Sequence, residues 1–270
     1  MRAVCALAYA VALGGCAAGN MPPGRTVGTI PQSPMAVATS VNVAGIPAVS
    51  QSFTGSMPVF GRNVPLPPGS WTVIANRTMS VRNAGTVAAT IGLAQAEGGR
   101  LKAVYDVTVN ARAMPTGMPL GPACVMSDVL WSNVVTAVPN GSQDCAAVVF
   151  LRPALWRENP QQSGFQNMRG LDQLGLVAPN IMVGLTIQER SRAWIMDALL
   201  MENPDLSGIT PDMSTQRAQS AWTAYNYQSD PAKVRFVDHL KAEAQALRLR
   251  LREQVDAPGQ FVPGSGLTPA

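Results

Sequence analysis

Two alternating runs constrain this chain more than any other feature. In TVAATIGLA, Val87, Ala89, Ile91 and Leu93 fall on one face. In LKAVYDVTV, Leu101, Ala103, Tyr105, Val107 and Val109 do the same, with Lys102, Asp106 and Thr108 opposite. Glu97-Gly98-Gly99-Arg100 joins them. Period-2 patterning on both sides of a Gly-Gly turn predicts an antiparallel β-hairpin. A hairpin is not stable alone and needs further strands or a helix on its apolar face.

The rest of the chain offers both. DVLWSNVVTAV and CAAVVFLRP read as strands around the turn PNGSQD, and IMVGLTIQERS (181–191) reads as another, with Met182, Gly184, Thr186 and Gln188 on one side. SGFQNMRGLDQLG reads as a short helix, and SRAWIMDALLM fits a strand or a helical turn. From Asp230 the pattern changes period. Asp230 is the N-cap and Pro231 the first helical residue. Val234, Val237, Leu240, Ala244, Leu247, Leu251 and Val255 form one helical stripe. Pro258-Gly259 ends it. The fold class that follows is α+β, mostly β: an antiparallel sheet or sandwich with a C-terminal amphipathic helix over 231–256. Apolar residues make up 47% of the chain and charged residues 13%, which is enough for a core and too apolar for general disorder.

Upstream of the domain the composition shifts. Residues 16–64 are rich in Pro, Gly and Ser with almost no charge, and read as a tether whose AVATSVNVAGIPAV portion could lie on the domain as an edge strand. Pro65, Pro67, Pro68 and Gly69 mark a turn, so the globular domain spans 65–257, followed by a loose tail at 258–270.

Met1-Arg2 and an uncharged run from Ala3 to Leu13 form an export signal over residues 1–15. The run is too short to span a bilayer, which takes roughly 20 residues. Leu13-Gly14-Gly15-Cys16 resembles the lipobox of bacterial lipoproteins. That resemblance implies cleavage before Cys16, acylation of its thiol and new amino group (palmitate among the chains), and attachment to a membrane. Ala17 rather than Asp after the cysteine implies, in a two-membraned bacterium, the outer membrane facing the periplasm. The alternative is ordinary cleavage after Ala18, with Cys16 discarded and the protein soluble in the periplasm or secreted. The PLPPGSW start, the cysteine pair and the DPAK helix start also resemble an uncharacterised group of exported proteobacterial proteins over residues 65–255. No activity or functional residue follows from that likeness.

Cys5 leaves with the signal, and Cys16 carries lipid. Cys124 and Cys145 remain as an even pair in an oxidising compartment, so a disulfide is expected. With no CxxC and no His-rich stretch, a zinc site is not, and no metal or other cofactor is indicated.

Catalytic signatures are missing: no GxSxG, SxxK, HExxH or Walker lysine loop. His239, the only histidine, sits on the helix and is read as solvated or packing. Asp106, Asp128, Glu189 and Asp197 lie in or near strands and are read as surface acids. A converging pair of them could cleave a glycosidic bond. Of five tryptophans, Trp131, within the disulfide loop, is the first candidate for ligand contact. Arg248, Arg250 and Arg252 read as a solvated helix face, or as contacts for anionic lipid. The net charge of +4, scattered and without interleaved aromatics, argues against nucleic acid.

The sequence thus predicts a lipid-anchored envelope protein with a structural or binding role, accessory to a larger assembly and touching an envelope partner, with no catalytic residue. The rival is an envelope hydrolase of polysaccharide or peptidoglycan. A pocket with two converging carboxylates, one of raised pKa, favours the enzyme. An exposed apolar patch on a strand edge favours the partner.

Overall fold

The computed structural model describes residues 44–81, 86–115, 117–158, 160 and 163–256. The export signal, Cys16, the tether up to residue 43 and the tail from 258 lie outside the described residues.

Eight strands form one antiparallel sheet: β1 (Ser52–Val59), β2 (Arg62–Val81), β3 (Thr86–Glu97), β4 (Arg100–Asn110), β5 (Trp131–Ala137), β6 (Gln143–Leu151), β7 (Met182–Arg190) and β8 (Ile195–Glu202). Their order is β1-β2-β3-β4-β8-β7-β6-β5. Each half is a four-strand meander, and the two last strands, β4 and β8, meet at the centre. Helix α1 (Ser163–Gln173) joins β6 to β7. Helix α2 (Pro231–Asp256) follows β8. The fold is therefore α+β and mostly β, as the patterning requires.

The hairpin falls where the alternation places it, with Leu93 opposite Tyr105 and Ile91 opposite Val107. One detail departs from strict alternation. The register slips where Gln95 pairs with Ala103 but Ala96 with Leu101. This bulge at Lys102 turns Leu101 to the face opposite Ala103.

Both faces of the sheet are covered. On one, α2 lays Val237, Leu240, Ala244, Leu247 and Leu251, all fully buried, onto the inward residues of seven strands. The helix is about 39 Å long and touches β2 as well as β6, β7 and β8. Those strands stand on both sides of the sheet's centre, so the sheet curls around the helix. Register slips in β1, β2, β4 and β5 supply local twist for that curl. Asp230 caps the helix, accepting from the Ala232 amide at 2.9 Å and pairing with Lys233 at 2.7 Å.

On the other face, α1 packs Met168 and Leu171 against Ile74, Val104, Val149 and Met182. Its backbone lies directly on the sheet: a Cβ at Gly170 would come within 2.1 Å of the Ile74 carbonyl oxygen. With both faces covered, β6 and β7 are buried almost end to end, which is why CAAVVFL reads as a continuous apolar run rather than an alternating one. SRAWIMDALLM resolves as strand β8.

Two boundaries move. The stretch 16–64 read as tether contributes β1 and the first residues of β2, so the folded unit begins well before residue 65. The prolines do not reverse the chain. Pro65 pairs with Ser56 and Ser70 with Thr54, so Leu66–Gly69 loops out of a strand that then continues. Near the sheet edge, proline's missing N–H is tolerated. Trp71 Nε1 closes the loop by donating to the Pro67 carbonyl at 2.9 Å.

Candidate functional site

Two places gather the residues singled out above, and they differ in kind. The first is the free edge of the sheet at β5. Among the described residues this strand pairs with β6 alone. Before it, the 3-10 turn Pro122–Cys124 is pinned to β6 by the Cys124–Cys145 disulfide, with Cα atoms 5.1 Å apart. Two buried glutamines hold the same segment. Gln143 accepts from the Gly121 amide at 2.9 Å and donates to the Met118 and Pro119 carbonyls at 3.0 Å each. Gln188 accepts from the Ala123 amide at 2.8 Å. Arg190 adds a bond to the Pro119 carbonyl at 3.0 Å.

This clamp fixes Val125 and Met126 beside the strand, because Cys145 is the register partner of Val134. Val125 is 61% exposed, Met126 41%, Val134 48%, Val135 57% and Val138 52%, a run of apolar surface along one edge. From Ala113 to Gln143 the only charged residue is Asp128, held by Arg217 at 2.7 Å. Trp131 opens β5 half-buried, packed against the main core rather than presented as a platform.

The second place is an ionic cluster between α2 and the sheet. Asp144 on β6 and Glu189 on β7 are register partners. Arg248 approaches Asp144 at 3.1 Å, and Arg252 approaches Asp144 at 3.1 Å and Glu189 at 2.6 Å. Glu189 is fully buried. Burial, and then a hydrogen bond with the Asp144 carboxyl, raise its pKa to about 8 against the opposing pull of Arg252. A hydrogen bond between two carboxyl groups requires a proton between them. At neutral pH Glu189 holds that proton.

The reading of Arg248, Arg250 and Arg252 as a solvated face is therefore corrected. They flank the apolar stripe, and the first and last reach over it to buried acids, while Arg250 donates to the Leu66 carbonyl at 3.1 Å. Two of the acids read as surface groups are also buried. Glu189 is one. Asp106, on the α1 face, accepts from Asn167 at 2.8 Å. Gly92 makes that contact possible, since a Cβ there would meet Asn167 Oδ1 at 2.0 Å. Asp197 pairs with Arg190 at 2.8 Å. His239 is exposed, 3.6 Å from Glu202.

Sequence reasoning missed Asp144, Gln143 and Gln188. Asp144 hid in the turn PNGSQD. The one available signal was the i, i+4 spacing of Arg248 and Arg252, each one residue after a stripe leucine, which places both at the border of the buried face.

A carboxyl pair with a raised pKa can in principle do acid–base work. This pair is sealed beneath α2. The shallow notch lined by Arg77, Thr90, Gly92 and Asn167 lies on the α1 side, away from it. Among the described residues no group of three or more His, Cys, Asp or Glu is placed to hold a metal, and no helix is long and apolar enough to cross a membrane. No family model, curated protein or solved structure matches the chain.

Proposed function

We propose that this is a lipid-anchored envelope protein, fastened by acyl chains on Cys16 and facing the periplasm from the outer membrane, that works by binding and not by catalysis. The observation that carries the reading is the β5 edge: an uncharged strand whose outer side has no neighbour among the described residues, flanked by exposed Val125, Met126 and Val138, with the segment before it pinned to β6 by a disulfide. Natural sheets protect their edges with charge, proline or covering segments. An edge left open and apolar suits strand addition by a partner. The hydrolase reading is disfavoured because Asp144 and Glu189 share a hydrogen bond, closer than the roughly 5–10 Å that glycoside cleavage uses, and both are buried beneath α2.

Two measurements in cells test this. Labelled palmitate is incorporated by the wild type and lost in Cys16→Ser; unchanged labelling overturns the anchor. A photo-crosslinking residue at Val135 yields adducts, whereas the same residue at exposed Leu249 on α2 does not. Absence of any adduct from Val135 overturns the binding edge.

A further inference from the structure

The geometry points to a second copy of this chain as the occupant of β5: two β5 strands pair antiparallel about a two-fold axis and join two eight-stranded sheets into one. This rests on the reading of β5 as a binding edge and names what binds there.

The two ends of the sheet are built differently. β1 carries Pro58, which has no N–H to offer, and Gly55, which has no side chain to pack against a neighbour. Both features discourage a neighbour. β5, Trp-Ser-Asn-Val-Val-Thr-Ala, has no Gly, Pro or charge. Its register slip lies between Val134 and Thr136, leaving Trp131–Val134 regular and placing Val135 outside the ladder.

Charge decides between a copy and a foreign strand. In a two-fold contact, residues near the axis meet their own kind, so any charge there meets itself. The edge and its flanks carry none except Asp128, already paired. A foreign strand gains selectivity from complementary charge, and this edge provides nothing to complement.

The area suits a weak, reversible dimer. Val125, Met126, Val134, Val135 and Val138 expose on the order of 400 Å² per copy, the scale of patches that mark interaction sites. Two copies, with the strand backbone and flanking Ser132 and Asn140, approach the roughly 1,200 Å² at which stable interfaces begin. A concentration-dependent dimer is expected.

The test uses purified Cys16→Ser protein, so that acyl chains cannot drive association, in sedimentation velocity over a range of concentrations. The expected result is a monomer–dimer equilibrium that Val135→Lys weakens by about tenfold or more, with unchanged near-ultraviolet circular dichroism. Val49→Lys, exposed near the opposite edge, leaves it unchanged. Should Val135→Lys impair folding, a photo-crosslinker at Val135 gives the same answer: the joined peptides both contain β5. A monomer at every concentration, or a dimer indifferent to Val135→Lys, overturns the proposal. So does a crosslink from Val135, in cells, to another protein, which leaves β5 a binding edge with a different occupant, or to residues 1–43, which makes it an edge the chain covers itself. No crosslink in the purified protein overturns the pairing, and none in cells either removes the binding edge as well.

Discussion

Glu189 makes stability depend on pH in the direction opposite to that of an acid held ionised by a salt bridge. The folded protein holds Glu189 protonated up to about pH 8, whereas an unfolded glutamate releases its proton near pH 4.3. The folded state therefore binds the extra proton across that window. This contribution is complete below the unfolded pKa and is lost as pH rises through about 8. The thermal midpoint should fall between pH 6 and pH 9, and Glu189→Gln, which keeps the hydrogen bond to Asp144 without a titrating proton, should flatten that fall. An identical slope in the variant would assign the dependence to another group. Arg252 stabilises the remaining negative charge from a partly exposed position. Arg252→Ala should cost about 2 kcal/mol, below the 3–5 kcal/mol of a fully buried pair because water screens it. Urea titration reads this directly. This cluster was not legible in one sequence, although the Asp230 cap was. Glu189 alternates correctly within its strand, but its partner sits behind a turn and its counter-ions lie some sixty residues downstream.

At the scale of elements, legibility followed local signal. The β3–β4 hairpin, β7 and α2 could be read because patterning and punctuation agreed over enough residues, whereas the run that forms α1 is too short for its period to decide. β1 could not, since Ser52–Val59 contains Gly55 and Pro58 and alternates weakly. The start of β2 was read as a turn because prolines normally mark one, and only the sheet-edge position lets them stand in a strand. The cysteine pair was legible through compartment and parity, and the bridge between Cys124 and Cys145 is present. It closes a loop of about 20 residues, worth on the order of 3 kcal/mol by chain entropy. Reduction should lower the urea midpoint accordingly and loosen 118–126, which hydrogen exchange at the Gly121 and Ala123 amides would report. α1 depends on close approach. Gly170→Ala drives a methyl toward the Ile74 carbonyl at 2.1 Å, so the helix must lift from β2. A loss of roughly 1–3 kcal/mol is expected, as for overpacking elsewhere; a neutral Gly170→Ala would mean α1 is not seated as described.

At the scale of the whole molecule, α2 ties the two meanders together. Either meander alone is a four-strand sheet with an uncovered apolar face. β4 and β8 join them along one ladder, but α2 contacts β2 in the first and β6, β7 and β8 in the second, so its buried stripe belongs to both. Unfolding should then be a single transition. Trp71 on β2 and Trp131 on β5 report on opposite halves, and variants keeping only one or the other should give coincident urea curves. Leu247 and Leu249 test the same point from the helix. Leu247 is fully buried in the concavity, and Leu249, two residues on, is 64% exposed. Leu247→Ala should cost about 2–5 kcal/mol and shift both tryptophan signals equally, while Leu249→Ala should leave both nearly in place. If Leu247→Ala separates the two curves, the meanders fold as independent units and α2 belongs to one of them.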